Sequence, residues 1–131
     1  MSNIKLIPRQ HWTEYFDSVS RRFFRDDQPE VATIAVTSRL AGDRTAVHGA
    51  RVIGITYDRH DDVLDVALDG VDHLVYRPTE IRVIEDADGF VRELMVKHKG
   101  GPREVIVLKR AWVPASAARS VRAASRTVVD R

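Results

Sequence analysis

The chain has 131 residues, 44% of them hydrophobic and 31% charged, with a net charge of +2 and no cysteine. Such usage excludes a fibrous or intrinsically disordered chain, and the missing thiols exclude disulfides, thiolate metal sites and cysteine nucleophiles. No apolar run approaches about eighteen residues and MSNIKLIPRQ lacks the apolar core of a secretory signal, so a cytoplasmic protein of bacterial type without a membrane span is expected.

A single domain over residues 1–113 is expected, long enough to bury roughly two-thirds of its unfolded surface without a staple. Ile4 to Ile7 reads as extended, and Pro8 suits a helix entry because its fixed φ and missing N–H cost nothing in the first turn. Between about residues 9 and 25, Trp12, Phe16, Val19 and Phe23 recur at the 3.6-residue period of an amphipathic helix. Its aromatic stripe is expected to lie as a lid on the domain's own core.

From about residue 30 to 110 the pattern changes to short strands. VATIAVTS is rich in β-branched residues, and the loop from Arg39 to Gly49 gives no periodic signal. Then follow Ala50 to Asp58, Val63 to Asp69, His73 to Arg77, Ile81 to Glu85, Phe90 to His98 and Glu104 to Lys109. Turn compositions such as RHDD, DGVD and DADG separate them. About seven short antiparallel strands with one N-terminal helix predict a mainly β fold, a small barrel or rolled sheet. From Pro114 the chain is poor in large apolar residues and rich in Ala, Ser and Arg, which predicts a basic, disordered tail over 114–131.

Charge is unevenly placed. From Asp58 to Asp72 there are six aspartates against Arg59, a net charge of −5, whereas Lys97 to Arg110 carries +4 and the stretch from Pro114 carries +3. The acidic span raises the question of a metal or catalytic site. If Asp58 opposes Val63 across RHDD, then Tyr57 meets Leu64, Ile55 meets Val66 and Ile53 meets Leu68. A three-residue loop of Asp69, Gly70 and Val71 then sets Val66 against Leu74 and Leu64 against Tyr76. This register puts Ile53, Ile55, Tyr57, Leu64, Val66, Leu68, Leu74 and Tyr76 in the core. Thr56, Asp58, Asp65, Asp69, His73 and Arg77 fall on the other face.

Asp65, Asp69 and His73 are thus the candidate metal ligands. Asp65 and Asp69 are about 13 Å apart along a strand, too far to share one ion, and two ligands do not make a zinc site. An EF-hand reading of DRHDDVLDVALD also fails, with Val63 where glycine is needed and Asp69 in place of the bidentate glutamate. A solvated face, with His73 touching an aspartate, is the expected arrangement.

No GxSxG, HExxH, P-loop or GxGxxG occurs, and His11, His48, His60 and His98 are scattered among unrelated elements. No catalytic residue and no cofactor is therefore expected. Lys97, Lys99, Arg103, Lys109 and Arg110 form a candidate RNA or ribosome contact, but aromatic stacking platforms are lacking beside them, with only Trp112 nearby. A solvated, charged strand edge that resists aggregation is the favoured account of such residues.

Several segments carry a family resemblance: IPR at 7–9, Trp12, Phe16, Ser20-Arg21-Arg22, GITYD at 54–58, Asp61-Asp62 and HLVYRP at 73–78. Over roughly Ile7 to Lys109 the chain resembles a family of short, uncharacterised bacterial proteins related to PRC-barrel domains. That resemblance implies a small β-barrel carrying the helix, and an assembly or interaction role rather than catalysis; it transfers no site residues. The expected function is a non-catalytic protein-interaction or assembly module, binding a protein partner or a second copy of itself. RNA association and a metal or small ligand on the acidic face are the alternatives.

Overall fold

The computed structural model describes residues 3–25, 29–38 and 42–110. In chain order these form β1 (Asn3–Leu6), a 3₁₀ turn (Arg9–His11), α1 (Trp12–Phe23), β2 (Glu30–Ser38), β3 (Gly42–Asp58), β4 (Val63–Leu68), β5 (Val71–Tyr76), β6 (Pro78–Glu85), β7 (Val91–His98) and β8 (Arg103–Arg110). All strand pairs are antiparallel, in the spatial order β1-β6-β7-β8-β2-β3-β4-β5. The expected mainly β fold with one N-terminal helix is therefore present as a rolled sheet, with eight strands and without barrel closure. The expected tail over 114–131 lies outside the described residues.

The roll depends on β3, which is 17 residues long. Its first half pairs with β2 as far as Arg51 opposite Val31, and its second half pairs with β4 from Val52 opposite Leu68 to Asp58 opposite Val63. One strand thus serves two hairpins on opposite edges, and the sheet folds over along it. The residues between Gly42 and Gly49, which show no periodicity in the sequence, belong to this strand. They are exposed on both faces except the half-buried Val47, so no alternation develops.

Beyond Arg51 the β2-side edge of β3 has no strand partner among the described residues, and α1 covers it. Ser20 Oγ accepts a 2.9 Å hydrogen bond from the Ile55 N–H and donates at 2.7 Å to the Ile55 carbonyl. A hydroxyl is both donor and acceptor, so this one side chain replaces a missing neighbour strand at Ile55. Trp12 fixes the other end of the helix. Its indole N–H donates to the Ile7 carbonyl at 2.8 Å and its ring meets Tyr57 edge-on at 5.0 Å. Trp12, Phe16 and Val19 are buried as the helical period requires, with Phe23 half-buried against them, so the helix is the expected lid.

The core lies between the inner faces of the two halves of the sheet. Ile81, Val83, Leu94, Val96, Ile106 and Leu108 come from one half, and Ile55, Tyr57, Leu64, Val66, Leu68 and Val75 from the other.

Two expectations about this core are corrected. A bulge between Val52 and Gly54 turns Ile53 out, 52% exposed, and places Val52 against Leu68 instead. The β4–β5 turn has two residues, Asp69 and Gly70, not three: Leu68 opposes Val71, Val66 opposes His73 and Leu64 opposes Val75. Gly70 supplies the positive φ, 88°, that the tight turn needs. The one-residue difference exchanges the two faces of β5: Val75 is fully buried, whereas Leu74 and Tyr76 stand 38% and 59% exposed.

Candidate interaction face

On the outer face of β3–β4–β5, three cross-strand rows lie side by side. Asp58, Val63 and Tyr76 form one row, Thr56, Asp65 and Leu74 the next, and Ala67 with Asp72 the third. Apolar and acidic side chains are interleaved. β5 is the last strand of the sheet, so among the described residues one row of its backbone N–H and C=O groups has no strand partner beside these side chains.

Asp65 is the unusual member. Asp72 lies diagonal to it across the β4–β5 pair, two residues from its direct partner Leu74. Burial first, then the hydrogen-bonding contact with Asp72 and that residue's charge, raise the Asp65 carboxyl above the ordinary carboxylate range. Neither of two ionised carboxylates can donate to the other. Asp65 Oδ1, screened from solvent, therefore has no hydrogen-bond partner among the described residues. A donor brought from outside, above all a cation, would satisfy it.

His73 is not on this face. It points into the roll, where its Nε2 lies 2.5 Å from Oε1 of Glu104 on β8. Because a carboxylate accepts only, the imidazole donates. His98 Nε2 stands 3.2 Å from the other carboxylate oxygen, off the line of a hydrogen bond. Glu104 is buried, its side chain 6% exposed, and the two imidazoles 18% and 17%. A separation of 2.5 Å is a hydrogen bond; two ligands of one ion, each about 2 Å from it, would stand about 3 Å apart.

The three candidate metal ligands consequently do not converge. Asp65 faces outward, His73 inward, and Asp69 sits exposed in the turn with its N–H bonded to the Arg51 carbonyl. Among the described residues no three His, Asp or Glu side chains are grouped to hold a metal ion.

The basic candidates divide likewise. Lys97 and Arg103 oppose each other across β7–β8 on the outer face of the other half of the sheet, and Lys99 is in the turn between them. Lys109 is exposed at the far end of β8, opposite Val31. Arg110 is engaged, paired with Asp88 at 2.7 Å and stacked 4.1 Å over the Phe90 ring.

Beside Lys97 and Arg103 a cleft of about 440 Å³ opens on the outer face, with Met95, Val105, Glu80 and Arg82 among its walls. Arg82 bonds Glu80 at 2.7 Å, and Lys97 stands 3.8 Å from the same carboxylate. The Arg82 hydrogen bond, then the charges of Arg82, Lys97 and Arg103, hold the Glu80 carboxyl below its usual range.

Tyr57 belongs to a structural lock at the helix start. Its hydroxyl donates to Asp62 at 2.6 Å, while Arg9 binds the Pro78 carbonyl at 2.7 Å and lies 4.4 Å over the Trp12 ring. Burial, then the bond to Asp62, raise the Tyr57 phenol above its ordinary range. These contacts account for Arg9, Trp12 and Asp62 as parts of the fold.

Neither the Glu104 cluster nor the outward turn of Leu74 and Tyr76 was visible in the sequence. His73, His98 and Glu104 are brought together only by the roll. The available signal was the Asp69-Gly70 dipeptide, a strong mark of a two-residue hairpin turn.

The described residues thus form an open antiparallel β-roll with a helical lid and an amphipathic acidic face on its edge strand β5. The chain belongs to a family of unknown function (DUF5335), whose family model matches residues 3–115. It is 34% identical over 109 residues to an uncharacterized protein of Aquifex aeolicus (strain VF5), covering 82% of this chain and 93% of that protein. No solved structure matches it. Among the described residues no helix is long and apolar enough to cross a membrane.

Proposed function

We propose that the protein is a non-catalytic interaction or assembly module that docks a protein partner on the outer face of β4–β5. The observation that carries this reading is the outward register of β5. It exposes Leu74 and Tyr76 on an edge strand, beside an aspartate whose buried oxygen lacks a donor. Large apolar side chains next to unpaired strand backbone suit strand addition or face-on docking, in which main-chain bonds give affinity and alternate side chains give specificity.

The energetics of Asp65 support the same reading. Its ionised form is disfavoured by burial and by Asp72, so it does not help the isolated domain fold. Side chains that cost stability are characteristic of binding and functional sites. A partner offering an arginine or lysine between apolar side chains would complete the face. The resemblance to PRC-barrel domains, which serve assembly roles, points the same way at the level of fold only. We place the module in the cytoplasm, on the absence of cysteine from the whole chain.

Site-specific photo-crosslinking tests the reading. A benzophenone side chain at position 76 should give protein adducts in living cells that the same probe at the exposed turn residue His60 does not. Equal labelling at both positions, or none at 76, would contradict a docking role for this face.

A further inference from the structure

We propose that the partner on the β4–β5 face is a second copy of this chain, which offers it the cleft on the outer face of β6–β8. This rests on the docking face proposed above and names its occupant. The two surfaces are complementary in both chemistry and spacing. Asp72, Leu74 and Tyr76 follow one another at two-residue steps along the exposed side of β5, an acid and then two apolar groups. Arg103, Val105 and Val107 follow at the same step along the outer side of β8, a base and then two apolar groups. Strands of either kind advance about 6.6 Å per two residues, so three positions on one surface can meet three on the other.

Charge agrees with this pairing. Asp65 and Asp72 form a like-charged pair with a donor missing at Asp65 Oδ1. The cleft is lined by Arg82, Lys97 and Arg103 and by Glu80, Glu93 and Glu104, and its basic locus is the end where Lys97 and Arg103 oppose each other, Arg82 being bonded to Glu80. Met95 and Val105, half-buried and directly opposed across β7–β8, give the cleft an apolar floor for Leu74 or Tyr76. Asp65 and Asp72 on one copy then face Lys97 and Arg103 on the next.

The two surfaces sit on the outer faces of sheet halves whose inner faces meet in the core. They cannot both be used in one two-fold contact. Association is therefore heterologous, the acidic face of one copy against the Lys97–Arg103 end of the cleft on the next, and it extends or closes into a ring. A largely electrostatic contact of this kind is screened once the Debye length falls from about 10 Å toward 3 Å.

Sedimentation velocity of the full chain over a concentration series tests the proposal. At low salt the weight-average mass should rise with concentration, and about 1 M salt should return it toward the monomer. Two charge reversals are informative: Asp65→Lys with Asp72→Lys, and Lys97→Glu with Arg103→Glu. Each alone should weaken self-association about tenfold or more, and mixing the two variants should restore it, because the unchanged acidic face of one variant then meets the unchanged cleft of the other, and the two reversed faces meet as well. If a reversed variant fails to fold, Asp65→Asn with Asp72→Asn removes the same charges isosterically and should weaken association in the same direction.

A wild-type chain that stays monomeric at every concentration, or a mixture that fails to restore association, overturns the second-copy proposal. If adducts from position 76 nevertheless persist and fall on another protein, the docking face stands and only its occupant is wrong. If both measurements fail, both readings fail.

Discussion

His73 Nε2 and Glu104 Oε1 lie 2.5 Å apart although 31 residues separate them in the chain. This contact joins β5 to β8 across the mouth of the roll, and it is made on the inner side of the register that turns Leu74 and Tyr76 outward. A buried carboxylate is tolerable only when paired and hydrogen-bonded. Replacing both imidazoles by leucine (His73→Leu with His98→Leu) strands that carboxylate and should cost about 3 kcal/mol or more. Glu104→Gln keeps an acceptor for His73 and should cost about 1 kcal/mol. Urea unfolding ranks the two; a larger loss for Glu104→Gln would contradict the assigned pairing.

Ser20 supports β3 through two backbone groups at once. Ser20→Ala leaves the Ile55 N–H and carbonyl buried without a partner, at about 1–3 kcal/mol for each group. A fall in the melting midpoint of roughly 10 °C is expected. A change under about 2 °C would show that water or a shifted helix satisfies Ile55 instead.

The β3–β4 hairpin was legible because the RHDD turn and the apolar pairs Tyr57–Leu64 and Ile55–Val66 agree on one register, and the structure has Asp58 opposite Val63 as read. The helix was legible for the same kind of reason: Trp12, Phe16 and Val19 repeat at helical spacing and are buried. β5 differs from the expected register by one residue because the expectation rests on a three-residue turn of Asp69, Gly70 and Val71. Leu74 and Tyr76 are larger than Val75, but Gly70 permits the shorter turn, and His73 finds an acceptor inside that no local pattern announces. The bulge at Ile53 and the long exposed half of β3 were hidden too, since neither leaves an alternating signature.

Asp65 should make the fold pH-dependent in a defined direction. Its carboxyl is raised in the folded state, so the native protein holds this proton more tightly than the unfolded chain does. The contribution is present in acid and is lost as pH rises through the raised folded value. Asp65→Asn should therefore leave the melting midpoint unchanged near about pH 3 and raise it relative to wild type at neutral pH. Melting curves across that range check it; a variant less stable than wild type at neutral pH would mean that Asp65 has an internal cation partner.

The outward placement of Leu74 and Tyr76 depends on Asp65 standing opposite Leu74 rather than Val75, and disulfide trapping tests this most directly because the chain contains no cysteine. Directly opposed residues of an antiparallel pair have Cα atoms about 4.5–5.5 Å apart, within disulfide reach, whereas a residue one position along points to the opposite face. Asp65→Cys with Leu74→Cys should close fully under mild oxidation, and Asp65→Cys with Val75→Cys should remain reduced. Closure of the second pair and not the first would return Leu74 and Tyr76 to the core and remove the proposed docking face.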